Sequence, residues 1–284
     1  MPGYLPKPEC CIIPAWKRRL NAPVEQSDMS RSDSQEPVEA KMSLGAHLDE
    51  LRRRIVYALV GLVVATGAAI AFGKQLIALV MYPYVSVLES MDIKAAPVAL
   101  TVTDAFITYF RVSLLAGIVA ASPWICYQLW LFVAAGLYQR EKGYVRWAVP
   151  FSAALFVGGA AFFLTVVSYP MLRFFMNFNQ WLGVRPVIRL NELIKFMTNL
   201  MLVFGLAFQT PIVVFMLAKM GLVTTKTLAK YRRHVIVGSL ILAASVTSPS
   251  PVDQIALALP MWLLYELGIV LAILFGSEKE QPQD

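Results

Sequence analysis

Long apolar runs divided by short polar stretches set the pattern of this chain. Continuous hydrophobic segments occupy about Ile55–Phe72, Val112–Ala134, Trp147–Tyr169, Phe196–Met220, Val235–Val246 and Ile255–Phe275. Most are near the roughly 20 residues that a helix needs to cross a bilayer. The fifth is the exception. It offers a short run before Thr247-Ser248-Pro249-Ser250-Pro251, so it is either a re-entrant segment or a crossing of a locally thinned bilayer. A crossing is the better reading, because the sixth run needs a connection on the far side. The pattern predicts an all-α membrane protein of six tilted helices, the fifth and sixth short or broken. Prolines at 123, 150, 170, 211 and 260 fall in or beside these runs. Each removes a backbone donor, which predicts bent helices packed around a concave face.

Directly before the first run stands His47-Leu48-Asp49-Glu50-Leu51-Arg52-Arg53-Arg54. Leu44, Leu48, Leu51 and Ile55 recur at helical spacing, which leaves Asp49 and Glu50 on the polar side. Six crossings put both termini on one side. Placing that side inside gives it Arg52, Arg53, Arg54, Arg140, Lys142, Arg146, Lys226, Lys230, Arg232 and Arg233. Fewer bases, among them Lys74, Lys94, Arg173, Arg185, Arg189 and Lys195, fall outside. The positive-inside rule therefore favours N-in, C-in. In the outer loop Pro170–Lys195, Phe174, Phe175, Met176 and Trp181 mark a segment lying on the interface.

Composition narrows the class. Of 284 residues 58% are hydrophobic and 15% charged, where a soluble domain carries about 25% charged residues. The net charge of +7 does not indicate nucleic acid, because the bases sit beside apolar runs and form no stripe on a soluble domain. Residues 1–41 are rich in Pro, Ser, Glu and Arg and read as a disordered cytoplasmic tail without a secretory signal. Met42 is a plausible alternative start. Residues 42–276 form the membrane domain and 277–284 a short cytoplasmic tail. Cys10, Cys11 and Cys126 make no disulfide framework. His47 and His234 stand alone, which argues against a metal site. No nucleotide-binding or hydrolase motif occurs, so neither an enzyme nor a cofactor is expected.

Several ordered segments resemble the TatC family, the polytopic subunit of the Sec-independent twin-arginine protein translocase. They are residues 47–54, Ser122-Pro123 through Phe132, Gly136-Leu137-Tyr138 with Glu141, Phe204-Gly205 with Phe208 and Pro211, and Gln254 followed by Ala258-Leu259-Pro260-Met261 and Leu264-Tyr265-Glu266. The resemblance implies a cupped six-helix fold in the cell inner membrane with both termini cytoplasmic. It implies a receptor for twin-arginine signal peptides of folded cargo, driven by the proton-motive force. It also implies TatA-type and TatB-type single-span partners and several copies in one complex.

The same resemblance assigns Glu50, Arg52, Phe132 and Glu141 to signal-peptide binding. It assigns Gln209, Pro211, Thr247 and Gln254 to docking of partner helices. The chemistry agrees for the two acids: a carboxylate accepts two parallel N–H bonds from a guanidinium, a geometry lysine does not offer. A local reading competes, because Glu50 and Arg54 are i,i+4 neighbours, as are Asp49 and Arg53. Arg52 supports the surface or is simply topogenic. Gln209 lies deep in the fourth run, where a polar side chain either docks a partner or bonds a helix of its own chain. Glu266 is open between structural and functional roles. The chain departs from the family pattern at Ala135, where Pro is usual, at Gln209, where Glu is usual, and at Thr247-Ser248-Pro249-Ser250, where Thr-Pro-Pro-Asp is usual. A second class, a small-solute transporter with a polar site near Gln209, calls for matched broken helices in two halves, and the halves do not match.

Overall fold

The computed structural model describes residues 44–93, 97–135, 142–184, 187–246 and 251–275. Among them the regular structure is helical, apart from one bridge between Val98 and Arg189. The helices are α1 (Leu44–Ala71), α2 (Gly73–Ser90), α3 (Asp104–Ala135), α4 (Lys142–Phe162), α5 (Ser168–Trp181), α6 (Leu190–Ala207), α7 (Thr210–Lys219), α8 (Thr225–Val246) and α9 (Pro251–Phe275). A π-helical turn, Phe163–Val167, joins α4 to α5. Five stretches are long and apolar enough to cross a membrane: Leu48–Ala71, Asp104–Ala135, Arg146–Trp181, Leu190–Lys219 and Gln254–Leu274. α8 is not among them, because four bases crowd its first half. α9 runs unbroken through Pro260, although a short or broken sixth helix was expected.

The third span is longer than its apolar run implies. α4, the π turn and α5 form one continuous path from Lys142 to Trp181. Pro170 has no N–H for the carbonyl of Val166, and the helix widens just before it. The N–H of Ser168 reaches back to the carbonyl of Phe163, and the Ser168 hydroxyl donates to Leu164 O at 2.7 Å. A widened turn thus absorbs the proline and lets the helix continue. Beyond it, Met171, Leu172 and Met176 are buried, while Phe174, Phe178 and Trp181 are exposed.

α2 was not anticipated. Its face of Val80, Tyr84, Val87 and Leu88 joins Met171, Leu172, Leu193, Ile194, Met197 and Leu200 in the largest core among the described residues. This core ties α2 to α5 and α6. Beside it, residues 98–104 are fixed from two directions. Val98 N–H donates to Ile188 O and Leu190 N–H to Val98 O, both at 3.0 Å. The Asp104 carboxylate accepts from the N–H groups of Leu100 and Thr101 at 2.9 and 3.0 Å.

α1 packs mainly along α3, and the approach is close because glycines face bulk. Gly61 meets the Trp124 indole, and Gly117 meets Thr66, whose Cα lies 2.7 Å from where a Cβ would stand. The Trp124 indole N–H donates to Tyr57 O at 2.9 Å, and the Tyr109 hydroxyl donates to Ile70 O. Small residues at a membrane crossing allow this backbone approach.

The fourth span is interrupted. Gln209 N–H bonds to Leu206 O, a tighter i to i−3 closure, and Pro211 opens α7. α7 then ends at Gly221, where φ is +70° and the N–H groups of Gly221 and Leu222 return to Ala218 O and Leu217 O. This left-handed cap suits glycine. Thr224 starts α8 three residues later, its hydroxyl accepting from Thr227 N–H at 3.2 Å.

Candidate functional site

Glu50 sits on the last turn of α1 before its apolar stretch, with its side chain 15% exposed. One carboxylate oxygen takes Nη2 of Arg53 at 2.5 Å. The other takes Nε and Nη2 of Arg54 at 2.7 and 2.6 Å. Arg54 continues through Nη1 to the Oε1 of Gln128 on α3 at 3.2 Å. Gln128 is buried, so this contact fixes the base of α1 against α3. Phe132 lies one turn beyond Gln128 on the same helix and is partly buried. Arg52 and Asp49 are exposed.

The local alternative is therefore realised in part. Glu50 pairs with Arg54 at i,i+4, and Arg53 turns to Glu50 at i,i+3 instead of to Asp49. The two pairs are unequal. Arg53 is 59% exposed and Arg54 21%. An exposed pair contributes little and exchanges easily, whereas Arg54 is held by a second partner. Glu141 and Thr247 lie outside the described residues.

Gln209 stands at the break between α6 and α7 and reaches α4. Its Nε2 donates to the Ser152 carbonyl at 2.8 Å, and the Ser152 hydroxyl donates to Gln209 Oε1. The same hydroxyl lies 3.4 Å from the sulfur of Cys126 on α3. Three helices meet at this polar point. Pro211 is buried, with its Cα close beneath Gly268 of α9. Gln254 is half-buried in the first turn of α9. Glu266 is paired with Arg232 of α8 at 2.9 Å.

Gln128 and Ser152 are the positions that sequence reasoning passed over. Each is a polar residue inside an apolar run, and that is the signal available. Periodicity places them on helices without saying what they face.

This fold and this polar network define a multi-pass α-helical membrane protein. The family model of the Sec-independent protein translocase protein TatC matches residues 46–260. The chain belongs to the TatC family, the membrane component of Sec-independent protein translocation. It is 32% identical over 249 residues to the Sec-independent protein translocase protein TatC of Desulforapulum autotrophicum, covering 87% of this chain and 90% of that protein. It is 32% identical to the TatCy protein of Bacillus subtilis, covering 82% of this chain and 89% of the relative. The crystal structure of the twin-arginine translocase receptor TatC superposes with a TM-score of 0.72 at 32% identity, covering 80% of this chain and 98% of that one. These likenesses give no support to a solute transporter.

Proposed function

We propose that this chain captures the twin-arginine signal peptides of folded cargo and scaffolds the complex that carries the cargo across the cell inner membrane. Glu50 carries this reading. Its half-buried carboxylate already holds two guanidinium groups, one of them loosely. A peptide arginine replacing Arg53 would keep the same charge-assisted geometry. Glu141 is the proposed acceptor for the second arginine, with Arg52 and Phe132 flanking.

The topology that suits this role is N-in, C-in with six crossings, α8 being the fifth, and residues 1–41 and 277–284 as cytoplasmic tails. TatA-type and TatB-type subunits are the proposed partners, docking near Gln209, Pro211, Thr247 and Gln254. Several copies act together, and the proton-motive force drives transport. The role is one of binding and scaffolding, with no covalent chemistry assigned to any side chain.

The test is photocrosslinking of a twin-arginine signal peptide, beside its twin-lysine counterpart, to the full chain in membranes. Glu50→Ala and Glu141→Ala should each weaken capture roughly tenfold or more, the scale of a hydrogen bond to a charged group. Equal capture of both peptides, or unchanged capture by a correctly inserted double variant, would overturn the assignment.

A further inference from the structure

We infer that α8 carries a binding site for anionic phospholipid headgroups, formed by Lys226, Lys230 and Arg233. The spacing is i, i+4, i+7, so the three bases share one face of the helix. All three are exposed, and no ion pair to them occurs among the described residues.

The packing fixes where that face points. Leu228, Arg232, Val235 and Ser239 recur at the same spacing two residues out of phase, and they form the face turned inward. Leu228 and Ser239 are buried. The Tyr265 hydroxyl donates to Leu228 O at 2.8 Å, and Arg232 is paired with Glu266 at 2.9 Å. Both partners lie on α9, the principal neighbour of α8. Two residues on a helix is about 200° of rotation. The three bases therefore look away from α9, toward the surroundings.

The depth of the site follows from the sequence along that same face. After Arg233 the stripe continues as Val237 and Ile241, both exposed. The change from basic to apolar within one turn marks the boundary between headgroups and acyl chains. The apolar remainder, Val235–Val246, is roughly 18 Å long at 1.5 Å per residue, against about 30 Å of hydrocarbon. On the topology proposed above, in which α8 is the fifth crossing, so short a span draws the headgroups inward and brings flanking bases to phosphate depth.

The helix also breaks a local rule in placing these bases. No acid stands in its first turn, and Lys226 lies there, at the positive end, where cations are unfavourable and anions favourable. Orientation of the chain requires bases on one side of the membrane and is indifferent to the helical face. A phosphate ligand explains both the shared face and the base at the wrong end of the dipole.

The test uses the purified full chain in neutral detergent, titrated with phosphatidylglycerol or phosphatidylcholine and read by native mass spectrometry. The variant is Lys226→Gln, Lys230→Gln, Arg233→Gln. Gln is a good helix former on an unpacked face. The charge-matched control is Lys74→Gln, Arg173→Gln, Lys195→Gln, three exposed bases elsewhere. Each base near an anionic surface contributes about a fivefold preference. The α8 variant should therefore lose roughly a hundredfold in preference for phosphatidylglycerol, while the control keeps it. Added salt should lower the preference of the wild type and leave the variant flat. Undiminished preference in the α8 variant would overturn the proposal, as would displacement of the lipid by millimolar inorganic phosphate. Binding of an acidic protein segment by this face, without headgroup preference, would do the same.

Discussion

Removing Arg53 should strengthen signal-peptide capture, although a base is lost beside a proposed receptor acid. Glu50 is occupied by Arg53 at 2.5 Å and by the better-held Arg54. An incoming guanidinium must displace one of them, and Arg53 is the cheaper to move. Its side chain is 59% exposed, so after solvent screening the pair contributes about 0.2–1 kcal/mol. Arg53→Gln removes that competition and frees one carboxylate oxygen. The expected gain is the reciprocal, roughly 1.4- to 5-fold in affinity. Arg54→Gln should act in the opposite direction, because Arg54 also ties α1 to Gln128 of α3 at 3.2 Å. Its loss leaves the carboxylate less fixed.

Deleting any positive charge also lowers long-range repulsion of an arginine-rich peptide, so a control is needed. Arg146→Gln makes the same change in charge at another exposed base on the same proposed side, one with no part in the proposed site. Binding of a fluorescent twin-arginine peptide to the full chain in lipid nanodiscs, at low and moderate salt, separates the two effects. The charge effect fades with salt, whereas the freed oxygen persists. If Arg146→Gln and Arg53→Gln raise affinity equally, or if the Arg53 gain vanishes with salt, the exchange reasoning is refuted.

Two further outcomes follow from the packing. Ser152→Ala deletes the hydroxyl bond to Gln209 and leaves the amide only the Ser152 carbonyl; the loss should be about 0.6–1.7 kcal/mol, the range for interhelical hydrogen bonds in bilayers, read as a lower midpoint in a denaturant series in mixed micelles. Gly117→Val should separate α1 from α3, because its Cβ would meet the backbone of Thr66; Gly61→Ala should be milder, since the Trp124 indole it meets is a side chain, and cysteine crosslinking between α1 and α3 would rank the two.

The fold was legible where apolar runs are long. α1, α3, α9 and the two halves of the fourth span all coincide with such runs. α2 escaped because its apolar run, Leu76–Val85, is too short to cross a bilayer and carries Pro83, with Lys74, Ser86 and Glu89 at its ends. Such a helix is stabilised by packing under α5 and α6, which no local pattern announces. The third span was cut short at Pro170 for the opposite reason. A proline ordinarily ends a helix, and here the π turn absorbs its consequence. At the site, Glu50 and Gln209 were legible as polar residues in costly places. Their partners Gln128 and Ser152 were not, because they come from helices distant in sequence.

Gln209 shows how a departure from the family pattern acquires meaning only in three dimensions. The side chain at this position must accept from the Ser152 hydroxyl and donate to the Ser152 carbonyl at 2.8 Å. A primary amide does both at every pH. A carboxylic acid does both while it holds its proton, and an ionised carboxylate has nothing to donate. The glutamate usual in the family would thus make this contact only when neutral, and ionisation would set a negative oxygen against a carbonyl. Glutamine holds the arrangement without a proton. In this chain the junction of α4 with the α6–α7 break is consequently insensitive to protonation at residue 209. The amide also retains one N–H and one lone pair beyond those used by Ser152, the capacity that the proposed docking of a partner helix at this position requires.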